Sequence, residues 1–176
     1  MIRIRKSTPS DLDALMELYE AARQFMRTSG NPNQWVNGYP SRELVSADIN
    51  AGISYVGIDT DGEIAMAFTF FIGADPTYAT IHGGQWLNTN PYGTIHRLAS
   101  SGRHPGMLRR CVDFCQTLIA DIRLDTHADN LPMQHAATRL GFHHCGTIHC
   151  HDGSPRLAYH LSKDARSQSA YLLYQC

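Results

Sequence analysis

Ala99-Ser100-Ser101-Gly102-Arg103-His104-Pro105-Gly106-Met107-Leu108-Arg109-Arg110-Cys111 is the stretch on which the fold turns. Residues 94–101 read as a strand, and beyond the break at Gly102 to Gly106 the residues Leu108, Cys111, Val112, Cys115, Leu118 and Ile119 recur in helical register. A strand that passes through a glycine-bearing loop into a helix aims several unpaired backbone N–H groups at one spot, which favours an anion. Gly106 allows a ligand close to the backbone, Arg103 offers charge-assisted hydrogen bonds, and a pyrophosphate suits such a place. An ordinary strand-to-helix turn has the same local pattern.

Downstream the unit repeats. Residues 122–126 form a second short strand, Asp129 or Asn130 caps a helix bearing Met133, Ala136, Ala137 and Leu140, and Gly141 ends it. Residues 143–150 and 156–161 then read as a closing strand pair around Asp152-Gly153-Ser154-Pro155. Upstream, Ile2 and Ile4 alternate as a short strand, and a helix starts near Ser10. Its apolar face carries Leu12, Leu15, Met16, Tyr19, Ala22, Phe25 and Met26 until Gly30 and Pro32 stop it. Ser41 caps a shorter helix with Leu44, Val45 and Ile49, and residues 53–58 and 64–72 pair around Asp59-Thr60-Asp61-Gly62. Between Asp75 and Tyr92 the glycine, proline, asparagine and aromatic residues fit strand and loop equally well.

The chain has 176 residues, 43% hydrophobic, which fits one compact domain and excludes a disordered protein. Fifteen basic against sixteen acidic side chains leave a formal net charge of −1, with no global pull toward nucleic acid or anionic lipid. No apolar run approaches the ~20 residues of a membrane span, and Met1-Ile2-Arg3-Ile4-Arg5-Lys6 leads into no signal peptide. The expectation is a soluble cytoplasmic protein with small-molecule partners, no nucleic acid and no membrane. The odd set Cys111, Cys115, Cys145, Cys150 and Cys176 reads as reduced thiols.

The segment Arg103-His104-Pro105-Gly106-Met107-Leu108, followed by Asn130 and then by Leu140-Gly141-Phe142, resembles the GNAT superfamily of acetyl-CoA-dependent N-acetyltransferases. The resemblance covers nearly the whole length, is most specific between Thr94 and Phe142, and leaves out the tail after Lys163. It implies an α+β fold, with a mixed, mainly antiparallel central sheet flanked by helices, in a single domain over residues 1–163. The tail of residues 164–176, apolar at Ala170-Tyr171-Leu172-Leu173-Tyr174, docks on its own domain or at a subunit contact, so monomer and homodimer both stay open.

The resemblance also implies acetyl transfer from acetyl-CoA to a primary amine of a small molecule, by direct attack in a ternary complex. Arg103, His104, Pro105, Gly106, Met107 and Leu108 correspond to the Arg/Gln-x-x-Gly-x-Gly/Ala loop that holds the pyrophosphate. Leu108 replaces the final small residue, which is expected to narrow the loop, and Pro105 removes one backbone donor. Asn130 would bond the pantetheine arm, with Met133 and Gln134 nearby; a plain helix cap is the other role open to it. The strand at Leu98 and Ala99 would part from its neighbour and free a backbone N–H for the thioester carbonyl, the kind of donor a tetrahedral oxyanion needs.

The tyrosine that often protonates the leaving thiolate in that superfamily falls at Ala137 here. Tyr159, on the final strand, and His127, after the strand of residues 122–126, are the candidate replacements. Strict strand alternation puts His96 on a face with Leu98 and Ser100, and Arg97 with Ala99 and Ser101, so only one of the two faces the cleft; His96 there would take the amine proton, directly or through water, and a hydrogen-bonded structural histidine is the other role open to it. Trp35, Tyr39, Tyr78, Trp86 and Tyr92 lie in irregular segments and suit an aromatic pocket for the acceptor, where an ammonium would meet cation–π surfaces. Two other functions compete: a coenzyme A-binding sensor without catalysis, and a zinc module built on His143, Cys145, His149 and His151. Strand rise spreads those four groups too far for one tetrahedral ion, so no metal is expected.

Overall fold

The computed structural model describes residues 2–163; the tail of residues 164–176, expected to dock or to meet a subunit, lies outside the described residues. Seven strands form a mainly antiparallel sheet in the order β1-β2-β3-β4-β5-β7-β6, flanked by four helices among the described residues. The strands are β1 (Arg3–Lys6), β2 (Ser54–Ile58), β3 (Ile64–Ile72), β4 (Tyr92–Ser100), β5 (Asp121–Thr126), β6 (His143–His149) and β7 (Pro155–Leu161). The helices are α1 (Leu12–Thr28), α2 (Arg42–Asn50), α3 (Met107–Cys115) and α4 (Leu131–Arg139). The expected α+β architecture is the one present. The chain packs as two compact units, residues 2–71 with 95–114 and residues 72–94 with 115–163.

In the first unit, α1 opens from a turn in which the Asp11 carboxylate accepts from Thr8 N at 2.7 Å. It buries Leu15, Leu18, Tyr19, Ala22, Arg23 and Met26, spaced by three and four residues. Phe25, placed on that face by sequence, is 61% exposed, because it lies at the stripe's edge, beyond Leu18 and about 100° around the helix from Met26. Ser41 Oγ accepts from Leu44 N at 3.2 Å and starts α2 as expected. Both helices supply one core with Val56, Ile58 and Ala67 of the sheet and Ala99 of β4. On alternate positions, Tyr55 of β2 stacks on Phe68 of β3 at 5.3 Å, and Phe114 of α3 tilts against Tyr55 at 5.4 Å. Helices therefore cover both faces, which is why all of β2 is buried and reads as a continuous apolar run.

The second unit is built on β7, which pairs antiparallel with β5 on one edge and β6 on the other. α3 ends at Cys115, where the amides of Leu118 and Ile119 share the Cys115 carbonyl at 2.9 and 3.1 Å. The helix expected to reach Ile119 stops there, leaving Leu118 49% exposed. The undecided segment between Asp75 and Tyr92 is loop, with one 3-10 turn at Pro76–Tyr78 and a two-way bridge between His82 and Thr147. That close approach needs glycine: a Cβ on Gly84 would collide with the Cys145 carbonyl oxygen. A bulge between His144 and Gly146 breaks the alternation on which the shared face of His143, Cys145 and His149 rested. Among the described residues, no three His, Cys, Asp or Glu side chains converge on a position for a metal ion.

Candidate active site

In the first unit, β4 runs into the loop through Ser101, whose amide donates to the Ala65 carbonyl at 2.9 Å. Ser100 Oγ and Ser101 Oγ accept from the amides of Gly102 and Arg103 at 3.2 and 3.4 Å, so the two hydroxyls shape the turn. Gly102 and Gly106 have φ of +76° and +74°, and a Cβ at either would meet nothing within 4 Å. The left-handed backbone, and not crowding, is what calls for glycine there. Gly106 is also the first residue whose carbonyl enters α3, accepting from Arg110 N at 3.2 Å. The amides of Gly106 to Arg109 are the helix's orphan donors, and among the described residues none has an acceptor.

Leu108 does not narrow this loop. Leu108 is 7% exposed and Met107 4%, so both belong to the buried face of α3 with Cys111, Val112 and Cys115, while their amides remain among the orphan donors of the helix start. Helix geometry explains the difference, because the side chain and the orphan N–H of a first-turn residue point in different directions. Pro105 lies exposed on the loop's rim.

Sequence reasoning missed what holds the loop. The Asp59 carboxylate accepts from the amides of Asp61 and Glu63, both at 3.0 Å, and lies 3.2 Å from His104 Nε2 and 3.3 Å from Arg103 Nη2. Arg103 also donates to the Ile64 carbonyl at 3.3 Å. The His104 imidazole first, then the backbone donors and Arg103, hold the Asp59 carboxyl below its ordinary pKa. Asp59 was legible only as a turn former; its charge role needs the loop brought to it.

Arg97 departs most from expectation. Its φ is +53° inside β4, where strict alternation was expected, and His96, Arg97 and Leu98 are all half-buried in sequence. A left-handed residue inside a strand interrupts ladder pairing and bends the chain, so opposite faces no longer sort His96 from Arg97. The guanidinium is fastened on three sides: Nη2 to Asp48 Oδ2 at 2.5 Å, Nε to Thr69 Oγ1 at 3.3 Å, and Nη1 to the Tyr39 hydroxyl at 3.0 Å. Burial alone would lower its pKa, but Tyr39, Asp48 and Tyr19 outweigh that and raise it, so Arg97 stays charged.

This network fixes one pair of the expected substrate residues. Trp35 packs edge-on against Tyr19 at 5.7 Å and lies 6.3 Å from Tyr39. Trp35 and Asn37 hold φ of 58° and 54°, and Arg23 bonds the carbonyls of Gly38 and Tyr39 at 3.3 and 3.1 Å. A loop pinned in sparsely populated backbone regions marks a place where shape matters. His96 lies with its ring 6.0 Å from that of Phe71, and Ala99 is in the core at 3% exposure.

The remaining candidates are in the second unit. Asn130 caps α4, its Oδ1 accepting from Met133 N at 3.2 Å, and Met133 is half-buried. Gln134 Nε2 closes the preceding turn on the carbonyls of His127 and Ala128 at 3.3 and 2.7 Å. His127 Nδ1 accepts from Asp129 N at 3.1 Å, so the ring is a local cap whose other nitrogen carries any further role. Tyr159 sits opposite Leu124 and His144, 5% exposed, with its phenol pKa raised by burial. Ala137 is fully buried.

Tyr78 and Trp86 form a separate stack in this unit, 5.2 Å apart, with Tyr92 6.5 Å from Tyr78. Tyr78 is buried and its hydroxyl donates to Asp125 at 2.7 Å; with Trp86 and Tyr92 it lines a cavity of about 560 Å³. His160, also missed, is buried and neutral. Its Nδ1 accepts from Leu87 N at 3.3 Å, its Nε2 lies 3.1 Å from Asp121, and burial pushes its pKa down to about 4.

No protein-family model and no curated protein matches the chain. Solved structures do. A GNAT-family acetyltransferase from Streptococcus agalactiae is 36% identical, with a TM-score of 0.83 over 92% of this chain and 95% of that one. One from Listeria monocytogenes, 19% identical, has a TM-score of 0.68 over 90% and 93%. The aminoglycoside acetyltransferase AAC(6')-Ib, solved with coenzyme A and kanamycin, is 20% identical, with a TM-score of 0.62 over 97% and 99%; these last two show the fold alone. The Streptococcus likeness spans both chains almost completely: the chain belongs to the GNAT family of acetyltransferases.

Proposed function

We propose that the protein moves an acetyl group from acetyl-CoA to a primary amine of a small molecule, within a domain spanning residues 1–163. The observation that carries this reading is the cluster of unpaired amides from Gly106 to Arg109 at the start of α3, beside open space at both loop glycines. Such a cluster suits a diphosphate, and the helix dipole adds about 0.3–1 kcal/mol of attraction at an exposed end. Arg103, partly exposed and held on Asp59 beside His104, supports this reading as the loop's permanent positive charge.

The chemistry follows from the residues that remain. The amine nitrogen attacks the thioester carbonyl carbon, a C–N bond forms, and the C–S bond breaks with its electrons on sulfur. The interruption of β4 at Arg97 supports a backbone N–H near Leu98 and Ala99 turned toward the developing oxyanion. Tyr159 carries its phenolic proton at neutral pH, as any tyrosine does, and burial raises its pKa further, so it is suited to give a proton to the thiolate and unsuited to act as a base. His96 takes the proton from the amine, and the Nε2–H of His127, the donor left when Nδ1 accepts from Asp129 N, relays a proton toward the thiolate. Trp35 with Tyr39, or Tyr78 with Trp86, supplies aromatic surface for the acceptor. The AAC(6')-Ib structure with coenzyme A and kanamycin is consistent with a small-molecule amine as acceptor.

The test is release of free thiol from acetyl-CoA across amines, amino acids and peptides. Thiol release that depends on one class of amine supports the reading. Thermal stabilisation by acetyl-CoA with no release from any acceptor makes the chain a coenzyme A-binding sensor.

A further inference from the structure

Arg123, on β5, is 4% exposed, yet it forms no ion pair among the described residues. Its guanidinium is sandwiched between two rings, with the central carbon 4.1 Å from the Trp86 centroid and 3.7 Å from that of Tyr92. Of its donors, Nη2 reaches the Asn88 carbonyl at 3.0 Å, and the buried Nε meets no acceptor. A buried cation needs a partner to offset its lost hydration, and aromatic faces supply only part of that. The acids on its own strand are committed elsewhere. Asp121 accepts from Asn88 Nδ2 at 2.8 Å and faces His160, and Asp125 accepts from the Tyr78 hydroxyl.

Arg123 also lines the cavity of about 560 Å³, with Asn88 and Asn90 among its neighbours there. With Nε buried and Nη2 on the Asn88 carbonyl, Nη1 is the donor left to meet a carboxylate oxygen in a charge-assisted hydrogen bond. Strand alternation puts Asp121 and Asp125 on the face of Arg123, so the cavity's field is poor for a dianion such as phosphate and tolerable for a single negative charge. An acceptor that carries a cationic nitrogen as well relieves that field further.

We propose that this cavity binds a carboxylate through Arg123, and that the acceptor of the acetyl group is accordingly an amine bearing a carboxylate, of which an amino acid is the simplest form. The second half of this inference rests on the acetyl-transfer reading; the first half does not. Burial depresses the guanidinium pKa, the direction expected of a cation that waits for its counter-charge.

Calorimetry on the full chain with coenzyme A present tests it, using glycine, leucine, tyrosine and arginine against their carboxamides. At least tenfold tighter binding of one or more acids than of the matched amide is expected, with the preference lost in Arg123→Gln and only partly kept in Arg123→Lys. Equal affinities for acid and amide, or no binding of any acid, overturns the proposal, and the wild-type comparison stands even if the variants do not fold. Acids that bind selectively but release no thiol from acetyl-CoA overturn the second half, that the acceptor bears the carboxylate, and leave the carboxylate site intact; the acetyl-transfer reading itself falls only if no amine of any class releases thiol.

Discussion

Replacing Gly106 by Asp separates a structural glycine from one that makes room for a ligand. Gly106 and Gly30 both have left-handed backbones, at φ of +74° and +87°, and at both a Cβ would meet nothing within 4 Å. Each substitution therefore costs about 1 kcal/mol of backbone strain, or less because aspartate tolerates this region better than most residues. That corresponds to roughly 2–4 °C in Tm for a chain of this size. The two differ in what their open space is for. A carboxylate on Gly106 would stand within about 6 Å of a diphosphate on the adjoining amides, and at effective dielectrics from 80 down to 20 the repulsion is about 0.7–3 kcal/mol. Affinity for coenzyme A is expected to fall roughly tenfold in Gly106→Asp and not at all in Gly30→Asp. Calorimetric titration of both variants, each checked by thermal denaturation, provides the reading. Equal dissociation constants for the two variants would refute the argument that the loop holds the diphosphate.

Three further outcomes are expected. The His160 pKa is about 4 in the folded chain, below the ordinary 6.5, so above pH 6.5 both states are neutral and stability is full. Between pH 6.5 and 4 the unfolded chain takes up the proton first, and stability falls by at most about 3 kcal/mol. Urea unfolding across that window shows the slope, and His160→Gln flattens it. Arg97→Met leaves Asp48 buried without its partner and is expected to cost about 3 kcal/mol, whereas Arg97→Met with Asp48→Leu recovers most of it; a double variant no more stable than the single contradicts the pairing. Asn130→Ala loses the α4 cap, worth about 1 kcal/mol, while Asn130→Ser keeps it. Weaker coenzyme A binding in both assigns the amide to the pantetheine arm as well, and weaker binding in neither restricts it to the cap.

What the sequence displayed is what local chemistry encodes. The three- and four-residue spacing of α1, the caps Ser41 and Asn130, and the glycine loop before α3 are each written within a few positions of one another, and each is found where it was expected. The features that escaped depend on distant partners. Arg97 meets Asp48 across 49 positions and Asp59 meets His104 across 45, so neither network has a local signature. The left-handed φ of Arg97 was invisible because arginine carries no preference for that region, and the expected alternation of β4 failed at that one residue. The five loop aromatics could be listed but not sorted. Trp35 and Tyr39 join the Arg97 network, whereas Tyr78, Trp86 and Tyr92 stack in the second unit, the last two around Arg123. Leu108 misled for the opposite reason: a motif comparison sees the residue type, while helix phase decides that the residue is buried and its amide stays among the orphan donors of the helix start.

The most direct test of the account is a crystal structure of the protein with coenzyme A. Diphosphate oxygens within about 3 Å of the amides of Gly106 to Arg109 are the predicted result. A nucleotide bound elsewhere, with those amides turned to other acceptors, would contradict it.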